Sequence, residues 1–118
     1  MEQDNKPTIG VVGPCGAGKT TLIDALKNEG YIARHIAQEH SYLPNMWLRL
    51  VNPDILVYLN ASYPVSTSRR KLDWSRGEYD EQMRRLQDAR QHADLVIETD
   101  ALTPTEVLHQ VLEFINQG

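Results

Sequence analysis

The segment Gly13-Pro14-Cys15-Gly16-Ala17-Gly18-Lys19-Thr20 constrains this chain more than any other, because it fits the pattern G-x-x-x-x-G-K-[ST]. Its glycines interrupt any regular element, yet both flanks are strongly patterned. Before the loop, Thr8-Ile9-Gly10-Val11-Val12 is a short β-rich run. After it, Lys19 to Glu29 sets Leu22, Ile23 and Leu26 on one helical face, and Gly30 suits the left-handed position past the helix end. In such a strand–loop–helix the glycines let the backbone form a concave nest whose N–H groups point at phosphate oxygens, and the helix N-terminus adds its positive dipole. Lys19 would carry charge to the terminal phosphates, and the Thr20 hydroxyl is placed to ligate Mg²⁺ bound between them. Thr21 continues the same binding set into the helix.

The remainder of the chain alternates short apolar runs with amphipathic segments, which predicts an α/β fold. Tyr31 to Ile36 reads as a second strand, and Ser41 to Val51 holds a short helix candidate with Met46, Trp47 and Leu50. Asn52-Pro53-Asp54 turns the chain into Ile55 to Leu59, a continuous apolar run of the kind buried on both faces of a parallel sheet. Pro64 fits the first turn of a helix through Lys71, the polar break Asp73 to Glu78 follows, and Tyr79 to His92 reads as one further helix. Asp94 to Glu98 is the last strand, and Thr103-Pro104-Thr105-Glu106 is a capping box ahead of the closing helix. The expectation is a single three-layer domain with a four-stranded parallel sheet and its ligand site beyond the carboxyl ends of the strands. The favoured strand order is 2-1-3-4, with 2-3-1-4 as the alternative.

Composition narrows the partners. At 118 residues the chain allows one domain, and 41% hydrophobic residues suffice for a core. A net charge of −4 gives no broad basic field for nucleic acid or an anionic membrane surface. The single cysteine, Cys15, excludes an internal disulfide and favours a reducing compartment, with cytoplasm as the expected location. No apolar run approaches the roughly 18–20 residues of a membrane span, and the opening MEQDNKP lacks a signal pattern. With no second cysteine, the histidines His35, His40, His92 and His109 show no zinc-ligand spacing.

Three stretches make the chain resemble the small P-loop kinases of the adenylate, shikimate, gluconate and nucleoside kinase type: GPCGAGKTTL at 13–22, PDILVYLNASYPVSTSRR at 53–70 and ADLVIETDALTPTEV at 93–107. The resemblance implies ATP as phosphoryl donor, Mg²⁺ as cofactor and a small-molecule acceptor of unidentified class. It also implies that Arg69 and Arg70 belong to a lid helix, and that the turn Asp100-Ala101-Leu102 packs on the nucleotide base. No D-x-x-G or N-K-x-D motif of a GTPase is present. The chain departs from the family pattern in being shorter by about one βα unit and in carrying Asn60 where an aspartate is usual. Glu39, just past the second strand, is then the best carboxylate to join Thr20 at the metal. The alternative is a nucleotide-binding module or switch without phosphotransfer, completed by a protein partner or a second copy of the chain.

Arg69, Arg70 and Arg76 carry planar forks suited to clamping a transferred phosphate or stacking on a base. Arg84 and Arg85 follow Asp80 and Glu81 by four residues and read as surface pairs. Cys15 lies at a helix N-terminus that favours a thiolate, but a variable loop position is the plainer reading. His40 precedes Tyr42, Pro44 and Trp47 in the segment that would hold an acceptor.

Overall fold

The computed structural model describes residues 6–70 and 75–117, without the side chains of residues 50, 69 and 70. Its four strands are β1 (Thr8–Val12), β2 (Ile32–His35), β3 (Ile55–Asn60) and β4 (Leu95–Glu98), joined through α1 (Lys19–Asn28), α2 (Met46–Leu50), α3 (Tyr63–Arg70), α4 (Arg76–Arg85) and α5 (Gln87–His92) and followed by α6 (Pro104–Gln117). All pairings are parallel and the order is β2-β1-β3-β4, which settles the two expected orders in favour of 2-1-3-4. Ile9 stands opposite Ala33 on one side and Ile55 on the other, so the strand that enters the glycine-rich loop is flanked by β2 and β3.

Side-chain alternation in the strands builds the three layers. Ile9 and Val11 of β1 join Val57 and Leu59 of β3 on one face, where Leu22, Ile23 and Leu26 of α1 and Val107 and Val111 of α6 cover them. Val12, Leu56 and Tyr58 point to the other face and meet Ile36, Trp47, Leu86 and Ala89. A strand buried on both faces has no polar positions to alternate, which is why Ile55 to Leu59 reads as an unbroken apolar run. Burial pushes the Tyr58 hydroxyl up to about 12, with Arg90 opposing the shift.

One expectation fails at the element level. The segment expected as a single helix from Tyr79 to His92 is two helices, α4 beginning at Arg76 and α5 at Gln87. Ser75 starts α4 as a capping box, its hydroxyl accepting from the Glu78 amide at 3.1 Å while Glu78 Oε1 accepts from the Ser75 amide at 2.8 Å. Lys71, Asp73 and Trp74, read from sequence as a helix end and a break, lie outside the described residues. The expected capping box at Thr103 forms, with Glu106 N–H to Thr103 Oγ1 at 3.1 Å and Thr103 N–H to Glu106 Oε1 at 2.8 Å. Among the described residues no helix is long and apolar enough to cross a membrane.

Candidate functional site

Beyond the carboxyl end of β1 the chain folds into the loop Gly13–Gly18 and enters α1 at Lys19. Gly13 has φ 153°, and a Cβ there would stand 2.1 Å from the Leu59 carbonyl oxygen, so only glycine lets the loop start this close to β3. Gly18, the N-cap of α1, has φ 98° and no side chain to satisfy the first-turn amides. A helix start without a side-chain cap leaves those donors for another acceptor. The loop borders a cavity of about 600 Å³, which Thr20, Thr21, His35, Glu39, Thr99 and Leu102 also line.

Lys19 lies at the floor of this cavity, 7% exposed. Its ammonium donates to the carbonyls of Gly13 (2.6 Å) and Pro14 (3.0 Å) and pairs with Glu39 Oε2 at 3.1 Å. The side chain is buried and folded back on its own loop at the cavity wall, because three acceptors meet its three donors there. Glu39 reaches it from a single 3-10 turn, Gln38–His40, that directly follows β2. Because β2 neighbours β1, a carboxylate just past its end falls beside the loop, as the sequence reading expected of Glu39. That carboxylate is buried, and its Oε1 has no hydrogen-bond partner among the described residues. A polar oxygen buried without a partner is costly unless a ligand completes it.

Buried glutamines hold the surroundings in place. Gln38 is fully buried, accepts from the Trp47 amide at 2.9 Å and donates to the Leu43 carbonyl at 2.7 Å, which fixes the turn that carries Glu39. Gln82 of α4 grips Cys15 with both ends of its amide: Oε1 accepts from the Cys15 amide at 3.1 Å and Nε2 donates to Sγ at 3.3 Å. On the other side of that sulfur lies His40 Nε2, 3.9 Å from Sγ and 3.7 Å from Glu39 Oε2. His35 at the end of β2 completes the rim, and burial, reinforced by the charges of Lys19 and His40 against a smaller pull from Glu39, holds its imidazole below the ordinary value of 6.5.

Other expected site residues lie elsewhere. In the turn after β4, Leu102 lines the cavity, but Asp100 and Ala101 are exposed and do not, and Asp100 Oδ1 accepts from the Ser62 amide at 3.0 Å. Arg76 does not line the cavity either; it pairs with Asp80 at 3.2 Å and lies over the rings of Tyr63 (5.6 Å) and Tyr79 (5.8 Å). The side chains of Arg69 and Arg70 lie outside the described residues. Asp80 thus pairs with Arg76 and not Arg84, while Glu81 serves both Arg84 and Arg85. Arg85 is more than a surface pair: it lies 4.3 Å from the Tyr42 ring and donates to the Glu39 carbonyl at 3.5 Å, tying α4 to the turn. Asn60, at the end of β3, donates to Glu98 Oε1 at 2.8 Å and buries an Oδ1 without a partner.

Sequence reasoning missed Gln38 and Gln82, since polar residues inside a loop and on a helix carry no periodic signal of burial. Comparison with known proteins gives no matching family model and no matching curated relative.

Proposed function

We propose that the cavity binds a nucleoside triphosphate with Mg²⁺, ATP being the expected donor, and that the chain transfers its terminal phosphoryl group to a small acceptor. The observation that carries this reading is the meeting of the glycine-rich loop, a buried Lys19 and the incompletely bonded carboxylate of Glu39 in one cavity. The uncapped amides of α1 would receive phosphate oxygens, and Lys19 needs only to exchange carbonyl partners for phosphate ones. Thr20 and Glu39 would hold Mg²⁺, which when bound neutralises charge on the phosphates. Thr20 supplies a hydroxyl and Glu39 the orphaned oxygen, a hard donor pair suited to that ion. Leu102, with Thr99 and Val107, offers an apolar wall for the base.

A second reading, nucleotide binding without phosphotransfer, is favoured by one observation. Arg76 is engaged with Asp80, Tyr63 and Tyr79 and does not reach the cavity. Calorimetric titration with a nonhydrolysable ATP analogue and Mg²⁺ tests the shared core of both readings. Removing Lys19 alone would strand a buried carboxylate, at about 3–5 kcal/mol, so Lys19→Ala is best compared in a Glu39→Gln background. One-to-one binding by the wild type and at least about tenfold weaker binding by the double variant is expected. Failure of the wild type to bind ATP or GTP analogues overturns both readings. If ATP is then consumed with a panel of sugars, nucleosides and small acids, Glu39→Gln should lower turnover more than affinity. Binding without consumption selects the module.

A further inference from the structure

The cavity mouth gathers a second kind of donor that phosphate chemistry does not use. Cys15 Sγ, His40 Nε2 and a Glu39 carboxylate oxygen lie within 4.8 Å of one another. Sulfur and imidazole are ligands for soft and borderline cations and are poor partners for Mg²⁺. We propose that Cys15, His40 and Glu39 form a binding site for a thiophilic divalent cation of the Zn²⁺ class, which shares Glu39 with the Mg²⁺ position proposed above but is read out through Cys15 and His40.

Three features support a built site over a chance cluster. The sulfur–nitrogen separation is near that of a coordination sphere: bond lengths of about 2.3 Å to sulfur and 2.0 Å to nitrogen at tetrahedral angles put S and N about 3.5 Å apart, against 3.9 Å between Cys15 and His40 here, with all three donor atoms within 4.8 Å of one another. Closing that gap takes only a small movement of His40, whose side chain is 59% exposed and free to turn. Second, Glu39 is 2% exposed and its Oε2 comes within 3.7 Å of His40 Nε2, while Oε1 of the same carboxylate has no hydrogen-bond partner among the described residues. Third, the sulfur is already oriented, because buried Gln82 holds both the amide and the Sγ of Cys15, and outer contacts of that kind fix a ligand's direction and tune its metal. Lys19 opposes the site, its ammonium being 3.1 Å from Glu39 Oε2, so a cation held by that oxygen competes with the ion pair and one held by Oε1 leaves it in place. With three protein ligands, the fourth position opens onto the loop cavity, where water or an anion can enter.

Cobalt(II) titration of the full chain reads this site alone, because Cys15 is the only cysteine and a thiolate-to-cobalt charge-transfer band cannot arise from His92 or His109. One equivalent of Co²⁺ should develop the band, Zn²⁺ should displace it, and Cys15→Ser should abolish it. His40→Ala, a change at an exposed side chain, and Glu39→Gln should each weaken Co²⁺ binding by at least about tenfold, while His109→Asn leaves it unchanged. Absence of the band in the wild type overturns the site. So does an unaltered midpoint in folded His40→Ala.

Discussion

Gly13 and Gly18 both need backbone angles that side chains avoid, yet they are irreplaceable for different reasons. At Gly18 a methyl group would meet nothing within 4 Å, so alanine there costs only the left-handed conformation, about 1–2 kcal/mol. At Gly13 the same methyl group would sit against the Leu59 carbonyl, a backbone atom that cannot step aside. Gly13→Ala should therefore cost at least about 3 kcal/mol and move the thermal midpoint by several degrees more than Gly18→Ala, a difference that paired thermal melts will register. His35 yields a prediction about pH. Its folded-state pKa lies below 6.5, so the unfolded chain takes up a proton that the folded chain resists. The resulting penalty is absent above that value, grows as pH falls through it and is complete below the folded-state pKa. The groups facing the ring are Lys19, Glu39 and His40, the first and last opposing its protonation. Denaturant titrations at about pH 8 and about pH 5 should show His35→Gln gaining stability on the wild type as the pH is lowered.

Among the elements, legibility followed periodicity and capping chemistry. The closing helix is plain because Thr103 and Glu106 announce its start, and Val107 and Val111, with the partly buried Ile115, its apolar stripe. Ser75 and Glu78 spell the same kind of start, but the polar run around them reads as a break, so the sequence puts the helix start at Tyr79, three residues after the true one at Arg76. A box at an exposed helix start contributes modestly, so Ser75→Ala should lower stability by about 1 kcal/mol in chemical denaturation and leave the loop cavity intact. Glu39 was legible because its distance past β2 could be read along the chain once the sheet order was chosen. The nearness of Cys15 to His40 was not, since it depends on where a glutamine of α4 holds the sulfur and on how the turn after β2 curls. The fold of Lys19 onto Gly13 and Pro14 was equally hidden, a matter of side-chain torsions that residue type leaves open.

At the scale of the whole molecule, the site is shared among parts far apart in sequence: the loop after β1, the turn after β2, the start of α6 and a side chain of α4. A ligand that bridges these parts should stabilise the entire fold. A saturating ATP analogue at about one hundred times its dissociation constant should add about 2.7 kcal/mol, visible as a rise in melting temperature that is smaller when Lys19→Ala is made in the Glu39→Gln background.

The order of the sheet also bears on time. Ile9 pairs with Ala33 and Ile55, and Val57 with Leu95, so no two neighbouring strands are joined by a hairpin and each pairing waits for a helix to bring the chain back. Long closures must come first, which places assembly of the sheet on the slow side for a chain of this length. Gly13 settles against Leu59 only once β3 has joined β1. The hollow beside the glycine-rich loop is therefore a late product of folding, formed after the strands around it have found one another.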